Sequence, residues 1–427
     1  MSRRVVITGL GLISPLGLTL EDNWNSLIKG ISGIDHISSF ECSSWRVKIA
    51  AEVKNFDPSC LPGKKKSVKL MNRDSQLAVA ATHLALDDSK LDRDEIDPCT
   101  IGIAFGSFGI QYTLEDAYIV THSASGEKPT WLDDSKEPKC LNPIWPLTIL
   151  PNMSLCHIAI THNIKGPNIA FCSLATSGAQ AIGEAFKSVK YGQTDIFVAG
   201  GCSTINPSYL FSLDSSGLLS DENDNPSAAC RPFDRKRNGF VIGEGAGVVI
   251  LEELSHAQKR NAPIYAEVIG YCSTMQGDVF LSGEESFEEK VEGVAACLKE
   301  VIDQAGIDPQ DVDYLNADGK ATLISDRVET EAIKNVFGDY AYQLSISSTK
   351  SMTGHLLCAS GPAEIIIGTL AMREGIIPPT VNYQNPDPCC DLEYTPNCFK
   401  RREVNTVLSN TMGLSGENAA VLLKKFS

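Results

Sequence analysis

Short runs of β-branched and apolar residues, most of them ending in Gly, Ser or Thr, alternate along the chain with stretches of helical periodicity. This alternation is typical of buried strands joined by crossover helices, so the sequence predicts an α/β fold. Five strands are predicted in the first half, near residues 4–8, 100–105, 168–173, 195–199 and 245–252. Five more are predicted near residues 264–271, 312–316, 344–347, 406–410 and 419–424. The first strand is expected to end in a glycine turn after Thr8.

Two segments of the chain resemble each other. Residues 168–178 and residues 344–354 each combine a strand with a tight turn of small residues, and a helical pattern follows both. This likeness indicates an internal duplication, with an N-terminal half at residues 1–253 and a C-terminal half at residues 254–427. Because no linker rich in Pro, Gly or Ser separates the halves, we expect them to pack as one body.

Composition and charge narrow the class of protein. The 427 residues are 43% apolar and 21% charged, which is typical of globular proteins. A net charge of −16 repels phosphate backbones and anionic lipid, so neither nucleic acid nor a membrane is a predicted partner. The most apolar window, residues 363–372, is interrupted by Glu364, Gly368 and Thr369, so the sequence predicts no membrane-spanning helix there. The 14 cysteines include no C-x-x-C pair, which favours free thiols in the cytoplasm, without a metal site or cofactor.

The turn after the predicted strand 168–173 is where a nucleophile is expected. A residue at its apex lies beside the N-terminus of the next helix, whose N–H groups and dipole stabilise an anion. A cysteine there would have a lowered pKa. The apex falls on Ala175, and its methyl group cannot form a covalent intermediate. Cys172 lies earlier, on the strand, and is expected to be a packed thiol.

Three further motifs carry a resemblance to a known family. They are Cys230-Arg-Pro-Phe-Asp-Arg-Lys-Arg-Asn-Gly-Phe-Val-Ile-Gly-Glu-Gly-Ala-Gly, Ser347-Ser-Thr-Lys-Ser-Met-Thr-Gly-His and Asn410-Thr-Met-Gly-Leu-Ser-Gly-Glu-Asn. They resemble the β-ketoacyl-acyl-carrier-protein synthases, the condensing enzymes of fatty acid and polyketide assembly. The resemblance spans essentially the whole chain. It implies a thiolase-like fold of two similar βα halves in stacked α/β/α/β/α layers, and a dimer whose interface helps line the acyl tunnel.

The resemblance implies a catalytic cysteine and two histidines, and this chain departs from that pattern. Ala175 stands at the cysteine position, and Asp318 stands at the position of the first histidine. The second histidine is present as His355, and the lysine that usually accompanies it is present as Lys350. A carboxylate near a developing oxyanion raises the barrier that an imidazole donor would lower. Only His355 and Lys350 are therefore expected to remain as residual catalytic groups.

These two departures predict a non-condensing subunit. Such a subunit resembles the chain-length factor, or ketosynthase β-subunit, of type II polyketide synthases. It would pair as a heterodimer with a catalytic ketosynthase, shape the polyketide tunnel and meet acyl carrier protein. Two alternatives stay open: a malonyl-carrier decarboxylase that uses His355, and a non-catalytic homodimeric scaffold.

The resemblance also implies tunnel and docking residues. Phe108, Tyr112 and the gate position Leu414 are expected to line the tunnel, although core packing explains the first two equally well. Carrier protein is expected to dock on the basic run formed by Lys64, Lys65, Lys66 and Lys69. A solvated surface is the alternative interpretation of this run.

Lys350 needs a partner in a site of this kind, because buried charges must be paired. A buried carboxylate such as Glu329 is the expected partner. Asp318 is a second possibility, since a salt bridge from Asp318 to Lys350 or to Lys320 could replace a catalytic pair.

Overall fold

The computed structural model describes residues 3–63, 65–93, 95–109, 119, 144–276 and 286–426. The longer strands are β1 (Val5–Ile13), β4 (Ile101–Gly106), β5 (Asn168–Phe171), β6 (Ile196–Ser203), β7 (Gly245–Glu253), β8 (Ala266–Met275), β9 (Tyr314–Asn316), β10 (Ser345–Ser347), β13 (Thr406–Met412) and β14 (Glu417–Lys424). The two-residue strands are β2 (Asp35–His36), β3 (Ile49–Ala50), β11 (Ile376–Ile377) and β12 (Lys400–Arg401). The helices are α1 (Leu20–Ile28), α2 (Lys65–Val68), α3 (Arg73–Asp88), α4 (Pro146–Ile149), α5 (Met153–His162), α6 (Ser177–Lys190), α7 (Pro207–Ser215), α8 (Leu254–Lys259), α9 (Phe287–Ala305), α10 (Leu323–Phe337), α11 (Lys350–Thr353) and α12 (Ser360–Glu374).

The ten longer strands form one hydrogen-bonded sheet in the order β10-β9-β13-β14-β8-β1-β7-β6-β4-β5. At the contact between β1 and β8 this order divides into two arrays of five strands. In the first array β1, β7 and β6 pair antiparallel, and β6, β4 and β5 pair parallel. In the second array β8, β14 and β13 pair antiparallel, and β13, β9 and β10 pair parallel. The repeated pattern supports the duplication, whereas the boundary at residue 253 stays a prediction.

Helices cover these arrays in three layers. Helices α3 and α5 pack on the first array, α9 packs on the second with α10 beside it, and α6 and α12 contact strands of both arrays. Helix α12 is buried on all sides from Ser360 to Met372, as expected of a helix in a middle layer. The α/β class and the stacked α/β/α/β/α layers predicted for the chain are therefore confirmed. Among the described helices, none is both long and apolar enough to cross a membrane.

Strand β1 extends further than the sequence predicted. The expected glycine turn after Thr8 is absent, and the strand continues through Gly9 and Gly11 to Ile13. A Cβ atom on Gly9 would lie 2.2 Å from the carbonyl oxygen of Ala85 in α3, and one on Gly11 would lie 2.0 Å from another α3 carbonyl. These glycines allow the helix to approach the strand closely, so the turn prediction is wrong.

Asp74, in the first turn of α3, is a buried carboxylate that is only 1% exposed. Burial raises the pKa of this carboxyl to about 7, and the nearby Glu244 carboxylate adds to the shift. Because the folded chain then holds the proton more tightly than the unfolded chain, the free energy of unfolding falls as the pH rises from about 4 through 7.

Asp74→Asn is expected to remove this pH dependence. Between pH 5 and pH 8 the free energy of unfolding of the wild-type protein should fall by about 3 kcal/mol relative to that of the variant, as measured by denaturant unfolding. Asp339→Asn changes an exposed aspartate and is the matched control. Parallel pH profiles for the wild-type protein and Asp74→Asn would contradict the prediction.

Candidate active site

Ala175 lies where the sequence placed it, in the turn between β5 and α6. Leu174–Thr176 form a single turn of 3-10 helix, and α6 begins at Ser177. Leu174 enters the turn with a φ of +50°, and the side chain of Ala175 is completely buried. Position 175 thus precedes the N-terminus of a 14-residue helix, where N–H groups favour an anion. The methyl group of alanine cannot exploit that environment.

A second turn of the same shape packs against this one. Leu357 has a φ of +47°, Leu357–Ala359 form a 3-10 turn, and α12 begins at Ser360. A Cβ atom on Gly178 would lie 2.2 Å from the carbonyl oxygen of Cys358, so this glycine lets the two turns touch. Residues 174–178 therefore correspond to residues 357–361. The predicted match to residues 344–354 holds for the strands, since β5 and β10 are the edge strands of the two arrays, and it is wrong for the turn, because the second half inserts α11 between its strand and its turn.

His355 follows α11 and is completely buried. Its Nδ1 accepts a hydrogen bond from the backbone N–H of Leu357 at 3.1 Å and lies 3.0 Å from Oγ of Ser360. Burial and the Lys350 ammonium lower the pKa of His355 well below its ordinary value. The imidazole is therefore neutral and carries its proton on Nε2. Within the described part of the chain Nε2 has no hydrogen-bond partner, so it is an available buried donor.

Asp318, Lys320, Lys350 and Glu364 form a buried charge network, in which each side chain is at most 3% exposed. Asp318 joins the two lysines, since Oδ1 lies 3.1 Å from Nζ of Lys350 and Oδ2 lies 3.0 Å from Nζ of Lys320. Lys350 also donates a hydrogen bond to Glu364. Although burial opposes it, the two ammonium groups lower the pKa of Asp318. The network lies close enough to His355 for both lysines to lower the pKa of that imidazole.

The predicted salt bridge from Asp318 to the lysines is thus confirmed, whereas the predicted pairing of Lys350 with Glu329 is wrong. Glu329 accepts the backbone N–H groups of Asp318 and Gly319 at 2.8 Å and Nδ2 of Asn410 at 2.7 Å. Burial raises the pKa of Glu329 to about 7. Its role is to hold the turn that follows β9.

Two cavities share Ser216, Leu218 and Leu414 in their linings. The outer cavity, of about 370 Å³, is lined in part by Arg237, Asn238, Lys320, Thr322, Ser325 and Leu414. The inner cavity, of about 320 Å³, is lined in part by Phe108, Leu174, Tyr209, Leu213, Leu218 and Leu414. The rings of Phe108 and Tyr209 pack with their centroids 3.7 Å apart. Phe108 and Leu414 therefore line cavities, as a tunnel role requires, while Tyr112 falls outside the described residues.

The predicted docking lysines lie at and around α2. Lys66 and Lys69 are exposed, Lys65 begins the helix, and Lys64 falls outside the described residues. In the described ranges, no group of three or more His, Cys, Asp or Glu side chains could hold a metal ion.

The layered fold, the turn at Ala175 and the buried pair of His355 and Lys350 define a thiolase-like protein of the ketosynthase type. Residues 2–257 match the family model for the β-ketoacyl synthase N-terminal domain, and residues 265–384 match the model for the C-terminal domain. The chain belongs to the β-ketoacyl synthase family.

Known proteins are similar to this chain over its whole length. A 3-oxoacyl-[acyl-carrier-protein] synthase 2 of Coxiella burnetii is 39% identical over 99% of both chains. The structure of the ishigamide ketosynthase/chain length factor is 27% identical with a TM-score of 0.87, and both chains are fully covered. The AntDE:AntF structure, a type II polyketide synthase acyl carrier protein in complex with its ketosynthase, is 29% identical with a TM-score of 0.85, again with full coverage.

The prediction of a non-condensing chain-length-factor subunit is wrong. The relative that is 39% identical is named for 3-oxoacyl synthesis and not for the control of chain length. The prediction gave Ala175 and Asp318 more weight than the similarity that extends across the remaining residues. Those two side chains change the chemistry of one site, and they do not define the group of synthases to which the whole chain is related.

Proposed function

We propose that the protein takes part in carbon-chain elongation on acyl carrier protein, as a 3-oxoacyl synthase that accepts carrier-bound thioesters. Support comes from the Coxiella burnetii relative, whose name states an acyl-carrier-protein-dependent synthesis. Further support comes from the AntDE:AntF structure, in which a carrier protein is bound to its ketosynthase. The observation that carries the proposal is the available Nε2–H donor of the buried, neutral His355.

The two cavities suit the two parts of such a substrate. Asn238 and Thr322 give the outer cavity polar groups that match the amides and hydroxyl of a pantetheine arm. Phe108, Leu213 and other apolar side chains of the inner cavity match an acyl chain.

The chemistry assigned to His355 is stabilisation of an oxyanion. When malonyl thioester loses carbon dioxide, the electron pair of the broken carbon–carbon bond moves to the thioester oxygen as an enolate. The Nε2–H of a neutral imidazole can donate to this oxygen without giving up its proton. The enolate carbon then attacks the carbonyl of an acyl thioester, and the thiolate leaves. Because Ala175 provides no thiol, the attacked acyl group is not bound to residue 175.

His355→Ala is expected to lower the rate of this reaction by about 10²- to 10³-fold, as is typical for the loss of one oxyanion donor. The assay supplies malonyl and acyl carrier protein to the purified chain and measures carbon dioxide release together with the 3-oxoacyl product by mass spectrometry. His36→Ala removes an exposed histidine on β2 and is the control. A wild-type protein that yields no product above the enzyme-free background would overturn the proposal.

Three finer statements stay predictions. Docking of carrier protein at Lys66 and Lys69 is supported by the exposure of both side chains and by the acidic character expected of the carrier. Heterodimer formation with a catalytic ketosynthase is tested by co-purification. A cytoplasmic location follows only from the sequence composition.

A further inference from the structure

Lys320 is a buried cation whose contacts join two parts of the site. Its side chain is 1% exposed, and Nζ lies 3.0 Å from Oδ2 of Asp318. The same Nζ donates hydrogen bonds to the carbonyl oxygens of Met412 at 2.7 Å and of Gly413 at 3.3 Å. Met412 is the last residue of β13, so Lys320 connects the turn after β9 to the start of the hairpin loop 413–416.

The hairpin loop 413–416 carries Leu414, which lines both the outer and the inner cavity. Glu417 holds the loop from its other end. Its carbonyl oxygen accepts the N–H of Gly413 at 2.7 Å, and its Oε2 accepts the N–H of Ser415 at 3.0 Å. The position of Leu414 between the cavities therefore depends on contacts at both ends of the loop.

The two carbonyl contacts restrict the loop because of the cost of burying an ammonium group. A buried cation requires acceptors, and hydrogen bonds to charged groups are stronger than those between neutral groups. If the loop moved outward, Lys320 would lose its hydrogen bonds to the carbonyl oxygens of Met412 and Gly413. The loop is thus stabilised in the position that keeps Leu414 between the cavities.

We propose that Lys320 is a positioning residue that fixes Leu414 as part of the wall between the two cavities, beside Ser216 and Leu218, and so limits the size of the acyl group that passes from one to the other. The acyl ligand in this statement rests on the proposed function. The restraint on the loop does not, because it follows from the contacts of Nζ.

Lys320→Met is expected to speed backbone hydrogen exchange in residues 413–416 by about tenfold or more, since roughly one net charge-assisted hydrogen bond is lost. Lys320→Arg keeps a cation with several donors and should restore most of the protection. Lys299→Met makes the same side-chain change at an exposed lysine of α9, and it should leave exchange in residues 413–416 unchanged. Circular dichroism checks that each variant folds. If Lys320→Met does not fold, the exchange rates of Lys320→Arg are compared with those of the wild-type protein.

A second measurement tests the wall. Non-hydrolysable acyl-pantetheine analogues with short and long acyl chains are titrated against the wild-type protein and the Lys320 variants. We expect Lys320→Met to bind the long analogue more tightly relative to the short one, by about tenfold, and Lys320→Arg to bind them in the wild-type ratio.

The outcomes are distinct. Equal exchange rates for Lys320→Met and the wild-type protein would overturn the restraint on the loop. Faster exchange with an unchanged ratio of affinities would overturn the role of Leu414 as a wall. If the wild-type protein binds neither analogue, the proposed function fails, and the exchange rates still decide whether Lys320 holds the loop.

Discussion

Replacing Ala175 by cysteine is expected to produce a covalent acyl-enzyme, whereas the wild-type protein forms none at this residue. The turn already supplies what a thiolate needs, because position 175 is followed directly by the N-terminus of α6. After incubation with an acyl thioester of carrier protein, intact-protein mass spectrometry should show Ala175→Cys heavier by one acyl group. No adduct is expected at residue 175 of the wild-type protein, and a substantial fraction of the Ala175→Cys chains should carry one.

Cys172 makes a control necessary, because the prediction that it is a packed thiol is wrong and it is an exposed thiol directly after β5. The experiment is therefore done in a Cys172→Ser background, and peptide mapping locates the adduct. Ala175→Ser is the matched variant, because its hydroxyl is a much weaker nucleophile at neutral pH. If Ala175→Cys reacts with a small alkylating reagent but not with the acyl thioester, the turn does not present residue 175 to the substrate.

Much of the fold could be predicted from hydrophobic periodicity alone. Each of the ten predicted strands corresponds to one of the ten longer strands, because a buried strand needs an apolar run whatever its neighbours are. The two-residue strands, such as β2 and β11, could not be predicted, since their existence depends on which distant segment lies beside them. The length of β1 was missed for a related reason. Gly9 and Gly11 lie within the strand, where their lack of a side chain leaves room for α3, and they do not form a turn. This role can be recognised only when the position of the helix is known.

The residues of the candidate site could be predicted from the sequence, whereas the ion pairs that they form could be predicted only in part. Ala175, Asp318, Lys350 and His355 were found by motif, and the salt bridge from Asp318 to Lys350 and Lys320 follows from the need to pair buried charges. The pairing of Glu364 with Lys350 was missed, although a carboxylate within the apolar window 363–372 is a signal for a buried cation nearby.

Lys350→Met is expected to lower the free energy of unfolding by about 3 to 5 kcal/mol, because it removes the cation from a buried pair and leaves the Glu364 carboxyl uncompensated. Burial raises the pKa of Glu364, and the Lys350 ammonium is the largest influence that opposes this shift and favours the ionised carboxylate. With Lys350 gone, that carboxyl must be protonated or buried as a charge, and Asp318 keeps only Lys320 among its two ion-pair partners. Denaturant unfolding at pH 7 measures the loss.

The double variant Lys350→Met/Glu364→Gln separates the charge effect from a loss of packing. It removes both members of the pair and leaves Asp318 with Lys320, so its stability should return to within about 1 to 2 kcal/mol of the wild-type value. Lys299→Met makes the same side-chain change in an exposed pair with Asp303, for which a cost below about 0.5 kcal/mol is expected. If Lys350→Met costs no more than Lys299→Met, the buried network does not stabilise the fold. If the double variant is as unstable as Lys350→Met, the missing ammonium acts through packing and not through the charge on Glu364.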